Sequence, residues 1–179
     1  MRLALLALAC LVLPAQTQDP AYDPLQKAYQ SLREKKYLDA IDHLLLAVKA
    51  APERASIRKE LGYAYLKVGE TDSARELFEH AVTLDPADWR AALELAFLSH
   101  ETGREARALE LLELVRRTGD AEAKRAAEEA FTRIDSALGQ AVERWTAAVE
   151  QDPANRAARL ELARNLDKRR QPARAAEQY

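Results

Sequence analysis

Residues 55–88, ASIRKELGYAYLKVGETDSARELFEHAVTLDPAD, decide the fold, because the residues that punctuate this stretch return elsewhere in the chain at one fixed interval. Gly62 is matched 34 residues to either side by Ala28 and Ala96, and again by Ala130. The ring after it, Tyr63, is matched by Tyr29, Phe97 and Phe131. Further along, Ala74 repeats as Ala40 and Ala108, Phe78 as Leu44 and Leu112, and Pro86 as Pro52. In a fourth unit the later positions come one residue early, as Ala141, Trp145, Ala148 and Pro153, and a fifth begins with Leu162-Ala163. Self-similarity at such a period belongs to stacked supersecondary units.

Each unit holds two apolar stretches of helical spacing joined by a short turn, at Gly69-Glu70-Thr71, Gly103-Arg104, Gly139 and Gln171-Pro172. Glycine just past a helix end, with proline soon after, is a stop signal. The glycine or alanine at 28, 62, 96 and 130 falls where the two helices cross, with the alanine about twelve residues on as its opposite number. Side chains no larger than methyl let the backbones approach, and Phe78 or Trp145 fills the space beside them. Composition agrees. Alanine supplies about a fifth of the 179 residues, and only five glycines and seven prolines interrupt them, too few turns for a β-sandwich or barrel. The fold class expected is all-α.

On Leu61-Gly62, Tyr65, Ala74, Phe78, Ala81 and Pro86, the second unit resembles a tetratricopeptide repeat, with Arg58 in place of the first tryptophan. The resemblance runs from about residue 21 to the end and implies a right-handed α-solenoid of antiparallel helix hairpins with about 4.5 repeats. The units are 21–54, 55–88, 89–122, 123–155 with one residue deleted, and a truncated 156–179. The chain departs from the family pattern at Asp120, where proline is expected, at Lys27, where leucine is usual, and in the shortened turn around 137–139. Because Tyr179 is a packing position halfway through a second helix, the sequence reads as part of a longer product.

The first seventeen residues stand apart. Met1-Arg2 is a basic start, Leu3 to Leu13 an apolar run too short to span a bilayer, and Pro14 to Gln18 a small and polar sequel. That order is a secretory signal peptide, cut near residues 15–17, and it implies a periplasmic or secreted bacterial protein. A competing reading takes Ala7-Leu8-Ala9-Cys10 as a lipoprotein box with Cys10 as a lipid anchor. The short lead and the lack of leucine three positions before the cysteine weigh against it. Removal of Cys10 leaves no thiol for disulfides or catalysis.

Chemistry is scarce. Lys and Arg number 27 against 29 Asp and Glu, so no basic excess recommends a nucleic-acid partner. His43, His80 and His100 fall on different units, and His100-Glu101 lacks the second histidine of a zinc-protease helix, since Arg104 stands there. There is no phosphate loop and no nucleophile elbow. The run Lys168-Arg169-Arg170 suits the negative end of a helix. Neither enzyme activity, metal nor cofactor is expected.

What remains is a surface. The resemblance implies that the first helix of each unit lines a concave side and meets a protein or peptide ligand. Its candidate contacts are Tyr29, Leu32, Lys59, Tyr63, Leu66, Lys67, Leu93, Phe97, His100 and Phe131. Relatives that clamp terminal carboxylates carry asparagine where this chain has its rings, so a carboxylate clamp is not expected. Two readings of the aromatic row stay open: a ladder of contacts for a bound peptide, or rings spent on packing between repeats. The expected role is a non-enzymatic interaction scaffold. The alternative is the repeat region of a larger exported assembly component, or of a repeat-bearing enzyme whose activity lies beyond Tyr179.

Overall fold

The second unit folds as its pattern dictates. The computed structural model describes residues 19–179, so the leader and Cys10 lie outside the described residues. Helices α3 (Ala55–Lys67) and α4 (Thr71–Leu84) close on each other through Gly62 and Phe78. A methyl group built on Gly62 would come within 2.8 Å of the Phe78 ring, so only a residue without a side chain fits there while that ring is in place. Phe78 and Ala74 are fully buried. The same hairpin forms from α1 (Tyr22–Arg33) with α2 (Tyr37–Ala50), and from α5 (Trp89–Glu101) with α6 (Glu105–Thr118). Ala28, Ala40, Ala96 and Ala108 are all shut away from solvent at these crossings. Pro86 and Pro153 sit exposed between units.

Each of the three turns passes through one left-handed residue, at Lys35, Gly69 and Gly103, spaced like the repeat itself. Asp88 accepts hydrogen bonds from the amides of Arg90 and Ala91, both at 3.1 Å, and so caps α5. Neighbouring hairpins share buried apolar clusters: one joins α1, α2 and α3, and another runs from α4 through α7. This continuity gives a stacked array in which no hairpin stands alone.

The fourth unit departs from expectation. No turn forms at Gly139. Helix α7 runs unbroken from Ala121 to Gln151, 31 residues or about 46 Å at the α-helical rise. Two features of the sequence explain it. Ala137 occupies the register of Gly69 and Gly103, and the left-handed conformation costs an alanine about 1–2 kcal/mol. In addition, Glu129 stands where Leu61 and Leu95 are buried, and Arg133 where Tyr65 is half buried and Ser99 buried. The first half of α7 therefore offers a polar side to any helix folding back on it. Ala130 stays buried against the preceding repeat, but Ala141 and Trp145 are only half buried, unlike Ala74 and Phe78.

Helix α8 (Arg156–Lys168) packs along the second half of α7 with the short α9 (Pro172–Ala176), sharing a small core of Val142, Leu162, Leu166 and Ala175. The basic run at its end does more than face a helix terminus. Lys168 reaches Glu105 at 3.1 Å and Arg170 reaches Glu113 at 3.2 Å. Arg169 grips Asp135 through two bonds of 2.9 Å, beside Gly139. These pairs tie α8 to α6 and α7. Among the described residues no helix is long and apolar enough to cross a membrane.

Candidate functional site

The first helices of the hairpins, α1, α3 and α5, each contribute one ring to a common face. Tyr29, Tyr63 and Phe97 are 37%, 39% and 40% exposed, whereas the ring inside the hairpin, Phe78, is 0% exposed. On the same face Leu25 is buried and Leu32, Leu66 and Leu93 are half buried. The leucines thus seat the helices and the rings rise above them. Tyr63 is held from below by Phe78, edge on, with ring centroids 5.0 Å apart and planes at 82°. Packing within the hairpin covers one side of the ring and leaves the other open.

Charged groups bind the repeats together along this face. Lys59 on α3 pairs with Asp88 at the start of α5. Burial works against the Asp88 carboxylate, but the Lys59 ammonium and the amides of Ala91 and Arg90 outweigh it and hold its pKa below the usual carboxylate range. The Tyr63 hydroxyl donates to Glu94 Oε1 of the next repeat at 3.4 Å, a long bond. Burial, then the nearby Glu94, Asp88 and Glu60 carboxylates, push the Tyr63 phenol up to about 12. Burial and then Glu60 raise that of Tyr29 against the opposing charge of Arg54. Carboxylates thus lie close to two rings of the row, Glu94, Asp88 and Glu60 near Tyr63 and Glu60 near Tyr29.

The glutamate carboxylates recur at the same interval as the rings. Glu60, Glu94 and Glu128 stand three residues before Tyr63, Phe97 and Phe131, with Gln26 before Tyr29. Residues three apart share a helix face. In the fourth unit the pair is already occupied: the Arg116 guanidinium of α6 lies 4.8 Å from the centre of the Phe131 ring and forms an ion pair with Glu128, Nε to Oε2 2.5 Å. Phe131 is accordingly half buried, and it does not continue the open row of the other three rings.

The remaining candidates are placed less centrally. Lys67 is exposed at the end of α3. His100 borders a separate cleft of about 320 Å³ where α7 fails to turn, floored by Ile134 and Leu138 and rimmed by Glu105, Arg133 and Lys168. One oxygen of Glu105 there is buried without a partner. Among the described residues no three His, Cys, Asp or Glu side chains come together as a metal set.

Comparison with known proteins agrees with this geometry. The tetratricopeptide repeat family model matches residues 66–130. No curated protein matches the chain. Among solved structures, MamA is similar over 89% of this chain and 88% of its own, at 15% identity and a TM-score of 0.62. The TPR2B domain of yeast Sti1, solved with pHsp70, aligns with 66% of this chain and 98% of its own at 21% identity and a TM-score of 0.56. The Yersinia enterocolitica type III secretion chaperone SycD, solved with a peptide of the translocator YopD, aligns with 66% and 95% at 17% identity and a TM-score of 0.59. At such identities the likeness establishes the fold.

Proposed function

We propose that this chain, which belongs to the tetratricopeptide repeat proteins, is a non-enzymatic interaction module that holds an extended segment of a partner protein against α1, α3 and α5. The observation that carries the reading is the row of three rings on successive repeats, each seated on its own hairpin and each more than a third open. Rings used only to glue repeats together would be sunk as Phe78 is. Large, rigid side chains provide contact area at small rotamer cost, which is what a peptide-binding face needs. Two structures of similar fold were solved with peptide or protein segments bound, which supports the same role here. The basic, apolar and small order of residues 1–17 supports a site of action outside the cytoplasm.

Tyr63 and Phe97 are the central contacts in this reading. Replacing each with alanine should weaken partner binding by about tenfold or more, as truncation of central aromatic anchors does, while the melting temperature changes little. Calorimetric titration beside thermal unfolding separates the two effects. A large fall in stability with affinity unchanged would assign the rings to packing.

A further inference from the structure

We infer that the partner segment is cationic, presenting arginine or lysine side chains to the ring-and-carboxylate pairs Glu60 with Tyr63 and Glu94 with Phe97; this rests on the reading of that face as a binding surface. The fourth unit supplies the pattern. At Glu128 and Phe131, the same two register positions, the molecule seats a guanidinium of its own, Arg116, with its charge over the ring and ion-paired with the carboxylate. A ring face and a carboxylate three residues apart form a ready receptor for such a group, because the ring quadrupole and the negative charge attract the cation together.

In the second and third units the same pairs lack an occupant. Among the described residues Glu60 has no ion pair, and Glu94 receives only the long bond from the Tyr63 hydroxyl. Tyr63 and Phe97 are open to solvent. Cations near this face have partners or stand aside: Lys59 is engaged by Asp88, Arg54 beside Tyr29 by Asp19, Arg90 lies over Trp89, and Lys67 sits one turn beyond Tyr63 at the helix end. The alternative occupant, an acidic segment, would meet the carboxylates of Glu60 and Glu94.

Fluorescence anisotropy on the whole chain, with three labelled twelve-residue peptides of alternating Arg and Ser, Glu and Ser, or Gln and Ser, tests the inference. The arginine peptide should bind most tightly. The double substitution Glu60→Gln and Glu94→Gln should weaken it about tenfold or more, while the same charge change at the exposed Glu143→Gln and Glu150→Gln leaves it unchanged. Lys67→Glu should strengthen it. Equal or tighter binding of the acidic or neutral peptide, equal weakening by the control pair, or no binding of any peptide overturns the cationic assignment. If the acidic peptide binds and Tyr63→Ala with Phe97→Ala abolishes that binding, the face stands and only the charge is wrong. If the ring substitutions leave every peptide unaffected, the face falls as well.

Discussion

Replacing Phe78 with alanine is expected to cost about 3–5 kcal/mol of unfolding free energy, the usual range for deleting a fully buried aromatic side chain. The reason lies in what the ring touches. It is 0% exposed, it fills the space left by Gly62, and it carries Tyr63 edge on. It also belongs to the buried cluster that continues through Ala91, Leu95, Leu112 and Ala130. The loss would therefore strike the seam between the second and third hairpins as well as the second hairpin itself. In a stacked array stability is a sum of units and their interfaces, so weakening that seam should let the first hairpins unfold ahead of the rest. Urea denaturation followed by far-ultraviolet dichroism should show a lower midpoint and a broadened or split transition. A midpoint shift worth less than about 1 kcal/mol would place Phe78 outside the core.

Proline in place of Gln140 should cost about 3 kcal/mol or more. Gln140 is exposed, so no packing is lost directly. In the middle of α7, however, the ring removes an amide donor and collides with the carbonyl four residues earlier. In the turn that the repeat register calls for, the same substitution would be nearly neutral. The two alternatives give opposite results from one variant, read as loss of helical signal and of the melting midpoint. Gly139→Ala is the complementary control: the nearest atom to a new methyl group is the flexible end of Arg169 at 3.4 Å, and the helix interior favours alanine over glycine by about 0.5–1 kcal/mol.

The hairpins were legible because their pattern is redundant. Small residues at Gly62 and Ala74 and a bulky one at Phe78 recur in several copies, and each copy corrects the noise in the others. The sequence does not announce the straight α7, because Ala130, Ala141, Trp145 and Pro153 keep the pattern of a closing hairpin. The deciding residues are the ones that break it: Glu129 and Arg133 on the inner side, and Ala137 at the turn. Those three positions leave the first half of α7 without an apolar side for a second helix to fold against. The aromatic row was legible for the same reason as the hairpins. The carboxylates beside it share its period, but a charged residue on a helix reads first as solvated surface, and only the seating of Arg116 gives the series a chemical meaning. The ion pairs from Lys168, Arg169 and Arg170 to α6 and α7 join residues 34 to 63 positions apart, and no local pattern announces them.

The claim that the open face of α1, α3 and α5 holds the partner is tested most directly by placing a photo-reactive phenylalanine at Phe97, and separately at Leu46, an exposed position on the second helix of the first hairpin. Irradiation in the presence of a bound partner should give a cross-link from position 97 and none from position 46. Cross-linking from position 46 with none from position 97 would put the binding surface on the opposite side of the array.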